Sequence, residues 1–161
     1  MNSVQTVKYL LDSNKHMVIS TADISGKPWV SPVFFVYDSE YNLYWISSKN
    51  TRHSQNIREN NRIAIVVFGT IPDSNKNDGV YFDAEAEELS DISKIEDAIK
   101  ILNEKQQSDK YMITSIDEVS NHASWRIYKA VLKEVSKRVD IIDSESGQVI
   151  NTREKIDLKS K

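Results

Sequence analysis

Cysteine is absent from the 161 residues. That excludes disulfides, thiolate catalysis and the Cys-based zinc and iron–sulfur sites. Glycine is scarce, with four in all. Neither a Gly-x-Gly-x-x-Gly fingerprint nor a Walker loop occurs, and no Ser-His-Asp order is seen. No apolar run approaches the length that crosses a bilayer. The first residues, MNSVQTVKYLLDSNK, lack the apolar stretch of a signal peptide. A cytoplasmic protein with no membrane partner is therefore expected. Positive charge is not in excess either. Its 21 Lys and Arg against 24 Asp and Glu leave a formal net charge of −3, so no nucleic-acid partner is expected.

What is present suits one domain with a real core, since 39% of this length is hydrophobic. The expected division is a single domain over 1–161, with its core at about 16–139 and a C-terminal tail at 140–161. Val4, Val7, Leu10 and Leu11 share a helical face, with Ser3 as the expected cap. Strands are expected at His16–Thr21, Trp29–Tyr37, Leu43–Ser48, Arg62–Gly69, Val80–Leu89 and Ser124 to about Val139. Gly26 supplies the turn after the first of these. A short polar helix is expected at 51–60, a loop at 70–78 and a longer helix at 92–107. The stretch 108–123 has no clear pattern. The tail carries a turn at SESG and one further short strand, and its last six residues are expected to be mobile.

Short connections between strands argue for an antiparallel barrel or sandwich. Pro32 interrupts a regular strand, so that strand is expected at an edge or a bulge. Val33 to Val36 and Ile63 to Phe68 are apolar on both faces. A barrel strand has one inner face, so the outer face must meet a helix, a ligand or a second subunit. A homodimer burying these faces is expected, the alternative being coverage by the helices.

Residues 47 to 57 read SSKNTRHSQNI. Lys49, Arg52, His53 and, just past this stretch, Arg58 crowd together with Ser47, Ser48, Thr51 and Ser54. A helix start presents unpaired N–H groups and the positive end of the helix dipole, which suits phosphate. Arg52 can grip two phosphate oxygens, and His53 can donate a further bond. The competing reading is a solvated surface helix. Asp83, Glu85 and Glu87 share one face of a strand, which suits either a cation or open solvent. His16 and His122 lack partners at ligand spacing, and no metal is expected. Trp29 and Trp45 either fill the core or stack on a ligand, and packing is the expectation for Trp29.

The order GKPWVSPVFFVYD, then NLYWISSKNTRHSQNIRENNRIAIVV, then GVYFDAEAEEL resembles the pyridoxamine 5'-phosphate oxidase-like, FMN-binding split-barrel family. The likeness runs from about His16 to Leu89 and resumes at SWRIYKAVLKEV. It implies a mainly β fold, a six-stranded antiparallel Greek-key split β-barrel with a few flanking helices. It implies FMN as cofactor and a homodimer with flavin sites at the interface. In such proteins the segment matching Ser31, Pro32 and Val33 runs beside the flavin ring. The segment matching Ile46, Ser47 and Ser48 lies along the ring and ribityl chain. The segment matching Thr51, Arg52 and His53 holds the phosphate. Trp125 either reaches across the dimer to the flavin or packs in the core or interface.

The oxidase itself carries a basic residue at each end of the segment matching Ser31 to Val36, and both are missing. Its C-terminal Arg and His signature is represented only by the loose echo Trp125-Arg126. The resemblance therefore implies a flavin-dependent oxidoreductase or reductase acting on a small molecule, with an unidentified electron donor, rather than that oxidase. The alternatives are a non-catalytic flavin-binding or sensing dimer, or a deazaflavin-dependent, haem-binding or cofactor-free relative. No side chain is identified as catalytic.

Overall fold

The computed structural model describes residues 1–71, 76–105 and 112–158. Helix α1, Ser3–Ser13, is capped by Asn2 rather than Ser3. The Asn2 side chain accepts from Gln5 N, and Gln5 returns a bond to Asn2 N, so a capping box displaces the shorter serine. Strands β1 (His16–Ala22) and β2 (Pro28–Phe34) follow, joined at a turn where Gly26 has φ +84°. The long second strand of the sequence reading breaks at Phe35, and β3 is the pair Val36–Tyr37. Then come β4 (Leu43–Ser48), α2 (Arg52–Glu59), β5 (Arg62–Ile71) and β6 (Lys76–Glu88). Helix α3 spans Ile92–Lys105, and a 3₁₀ turn covers Ile116–Glu118. Strands β7 (Trp125–Ile142) and β8 (Val149–Lys155) complete the sheet.

The fold is mainly β, as expected, with eight strands. Six match the strands expected in the core, β3 is the separated end of the expected second strand, and β8 is the further short strand expected in the tail. The antiparallel order is β2-β1-β5-β6-β7-β4-β3, with β8 beside β7. The two ends of this order, β2 and β3, are nearly continuous in the chain. The sheet must therefore curl round on itself. β2 and β4 come close without pairing, so the curled sheet stays open along that seam. Pro32 lies on β2, an edge strand, where a missing N–H costs no ladder bond.

Strands β5 and β6 run further into 70–78 than the expected loop, and residues 72–75 of it lie outside the described residues. The end of the helix expected at 92–107, and 108–111 of the unassigned stretch, also lie outside them. The tail is not loose at 156–158. Ile156 N donates to Val135 O at 2.8 Å, and Ile156 and Leu158 pack against the main core. Residues 159–161 of that expectation are outside the described residues.

The main core fills the curl of the sheet around Trp45, Phe82 and Tyr128. Trp45 and Tyr128 stack at 5.5 Å between ring centres. A second core lies outside β4, where α3 sets Ile95, Ala98 and Leu102 against Val36, Tyr44 and Ile127. Thus β4 is apolar on both faces because both faces are covered.

Candidate functional site

The seam between β2 and β4 is roofed by the first turn of α2. Thr51 caps that helix, its Oγ1 accepting from Ser54 N at 3.4 Å. The preceding turn is tight, with Thr51 N donating to Ser48 O at 3.1 Å. Side chains alternate along β2, so Trp29, Ser31 and Val33 face inward. Val33 is buried in the core, which leaves only its backbone for a ligand. Trp29, expected to pack, is 41% exposed. It lies beyond the end of the core, and Arg52 covers it with its guanidinium carbon 4.7 Å from the ring centre.

His53 lies one turn position further in. Its Nδ1 is 3.1 Å from Ser31 Oγ, and its Nε2 is 2.9 Å from Ser47 Oγ and 3.0 Å from Thr51 Oγ1. Ser31, Ser47, Thr51 and His53 therefore form one hydrogen-bonded cluster. Burial lowers the imidazole pKa from its ordinary value. The cluster continues inward, where Thr51 Oγ1 and Ser54 Oγ are 2.8 Å apart. Tyr128 donates its hydroxyl to Glu88 Oε2 at 2.8 Å. Burial above all raises the Tyr128 pKa, Ser54 opposes this, and Glu88 adds to it.

The four basic residues of the motif have separate fates. Arg58 Nη1 meets Glu88 Oε2 at 2.8 Å, and Nη2 donates to Lys49 O at 2.8 Å. Glu88 also meets Arg126 Nε at 3.4 Å. Arg58 is thus committed inside the protein. His53 is committed too, with both ring nitrogens bonded. Arg52 and Lys49 make no ion pair among the described residues. The charge of Arg52 reaches the Asp23 carboxylate, whose pKa is held low chiefly by the Ser25 hydroxyl and the Lys27 N–H.

The other residues marked in the sequence are dispersed. Ile46 turns to the opposite face of β4 from Ser47 and packs under α3. Ser48 Oγ accepts from Asn50 N at 3.3 Å. Pro32 is on the outer face of β2. Trp125 opens β7, pairs with Ser48 across the ladder and is 55% exposed. Sequence reasoning missed Glu88, Tyr128 and Asn56. A signal for Glu88 existed: in DAEAEE it breaks the alternation of Asp83, Glu85 and Glu87 and so faces the other way. Those three are exposed, and Glu85 and Glu87 pair with Lys133 and Lys94. Among the described residues no cluster of three or more His, Asp or Glu side chains is disposed to hold a metal. Nor is any helix among them long and apolar enough to cross a membrane.

An open, curled antiparallel sheet with a polar, cation-bearing seam defines a split-barrel protein. The chain belongs to the pyridoxamine 5'-phosphate oxidase family, whose model matches residues 3–133. A search of curated proteins finds no match. Solved structures share the fold. The haem storage protein HutZ of Vibrio cholerae is 18% identical, with a TM-score of 0.66 over 84% of this chain and 94% of that one. An FAD-binding protein of Mesorhizobium loti is 19% identical, with a TM-score of 0.62 over 85% and 94%. A haem-binding protein of Mycobacterium smegmatis is 15% identical, with a TM-score of 0.65 over 94% of this chain and 58% of that one.

Proposed function

We propose that the chain binds FMN along the β2–β4 seam and works as a flavin-dependent oxidoreductase on a small molecule. The observation that carries this is Arg52, an uncommitted guanidinium on the first turn of α2, beside the exposed Trp29 ring. A cation at a helix start suits phosphate. Exposed indoles at Trp29 and Trp125 and the edge backbone of β2 suit a flat heterocycle. The donor set therefore fits a phosphorylated aromatic ligand. A bound flavin supplies the electron or hydride chemistry, and the protein binds and orients it. Arg52 and Lys49 hold the phosphate, Ser31 and Ser47 line the ring side, and Trp125 flanks the mouth.

The working unit in this reading is a homodimer. Val30, Phe34 and Phe68 stay exposed on the outer sheet face, Phe68 at 61%, and the chain's own helices leave them uncovered. A cysteine-free chain fits the cytoplasm.

The test is the absorption spectrum of the purified protein before and after denaturation, followed by titration with FMN. Arg52→Ala should weaken FMN binding about 10- to 150-fold, the loss of one charge-assisted hydrogen bond of roughly 1.5–3 kcal/mol. Unchanged affinity removes Arg52 from the site. FMN binding without turnover of reduced nicotinamide makes the protein a flavin carrier or sensor. Binding of haem with no binding of FMN overturns the flavin reading.

A further inference from the structure

β2 and β4 approach each other with no ladder between them, so the polar contact across the seam comes from side chains. His53 supplies it. The ring reaches Ser31 on β2 with one nitrogen, at 3.1 Å, and Ser47 on β4 with the other, at 2.9 Å. The residue is only 7% exposed. A neutral imidazole has one donor and one acceptor nitrogen. It therefore donates from one nitrogen and accepts at the other. Nε2 is shared between Ser47 Oγ and Thr51 Oγ1, 3.0 Å away, so the ring constrains the directions of the Ser31 hydroxyl on one side and of the Ser47 and Thr51 hydroxyls on the other. An imidazolium donates from both nitrogens. Any hydroxyl that had donated to the ring must then turn its proton elsewhere.

The charged groups around His53 lie on α2 itself and on the strands behind it. Arg52 turns outward onto Trp29, and Arg58 is held by Glu88 of β6. β2 and β4 bring no ionisable side chain to this face. β1 presents Thr21, bonded to Asn56. β7 brings Tyr128 and Arg126, both bound to Glu88. None of these charges contributes to the shift of the imidazole, which comes from burial alone. No carboxylate stands ready to stabilise an imidazolium.

We propose that His53 is a positioning residue: as a neutral imidazole bridging the unpaired seam it sets the Ser31 and Ser47 hydroxyls toward the ligand, and its protonation weakens ligand binding. The identity of that ligand rests on the flavin reading above, while the clamp itself does not.

The experiment measures flavin affinity from about pH 8 to about pH 5, the range in which histidine changes charge. Wild type is compared with His53→Gln and His53→Ala. Riboflavin runs beside FMN, because a phosphate titrates near pH 6 and would add its own slope. Wild type should lose affinity for riboflavin as pH falls, by about tenfold for each unit that separates the imidazole pKa values of the free and bound states. Glutamine, neutral throughout and able to donate and accept, should keep affinity at the upper pH and flatten the riboflavin profile. Alanine should bind weakly at every pH. Equal slopes for wild type and His53→Gln overturn the proposal, as does wild-type affinity in His53→Ala. If neither flavin binds, the functional reading fails and the clamp is judged without ligand. The NMR resonances of Ser31 and Ser47 should then move as His53 titrates in wild type and stay still in His53→Gln. Resonances that stay still in wild type overturn it.

Discussion

Helix α3 buries Ile95, Ala98 and Leu102, whereas α2 buries His53, Ser54 and Asn56 with Ile57 as its one buried apolar residue. The two helices pack against opposite sides of the sheet and are held by different forces. Burying one leucine contributes about 1.5–3 kcal/mol and is indifferent to direction. A hydrogen bond contributes a net of about 1 kcal/mol, yet it fixes where each atom points. α3 is therefore a cover for the outside of β4. α2 adds less stability per residue and sets the orientation of a polar cluster at the open seam. That is the division expected when one helix serves the core and the other a site.

Changes on α3 should break the comparison most visibly in stability. Leu102→Ala should cost about 2–5 kcal/mol in urea unfolding, through lost contacts and a cavity. FMN affinity should stay at the wild-type value, because α3 lies on the far side of β4. Next in size is Asn56→Ala on α2. Asn56 Nδ2 donates to Thr21 Oγ1 at 3.0 Å, and Thr21 is itself buried. Removing one partner should cost about 1–3 kcal/mol in the same assay. The double variant Asn56→Ala/Thr21→Val should recover part of that loss.

A pH series sharpens the contrast further. His53 has its folded pKa lowered by burial, so the unfolded chain binds more protons as pH drops below the ordinary histidine value. Its contribution to stability is complete above about pH 6.5 and is lost as pH falls toward the folded pKa. His53→Gln should remove that part of the slope in urea unfolding at graded pH, and no substitution on α3 should do so. The smallest effect belongs to the solvated acidic face. Lys133→Ala breaks the 2.8 Å pair with Glu85, both half exposed, and should change stability by no more than about 1 kcal/mol.

Much of this contrast could be read in the chain, but not evenly. Ile95, Ile99 and Leu102 recur at helical spacing, so the covering face of α3 was legible. Pro32 marked β2 as an edge or a bulge because proline cannot donate to a ladder. The short polar helix expected at 51–60 was legible, although Thr51 caps it rather than belonging to it. Its facing was not. A helix wheel of RHSQNIRE offers one buried apolar residue, and its polar side looks uniformly fit for water. The break at Phe35 was also hidden, since the chain stays extended through a bend that only the curl of the sheet requires. Trp29 was misread because an indole on an inward-facing strand position is buried only where the core extends that far.

The order and type of most elements, the irregularity at Pro32 and the local crowding of Lys49, Arg52, His53 and Arg58 were determined by the sequence alone. These are properties of neighbours along the chain. Which of the four cations stays free was decided by the tertiary structure. Arg58 meets Glu88 thirty residues away, and His53 meets Ser31 and Ser47 from two strands that never pair. Such partners are brought together by strand order and register. A charge in a sequence is an offer of binding, and the fold decides whether another part of the same molecule has already taken it.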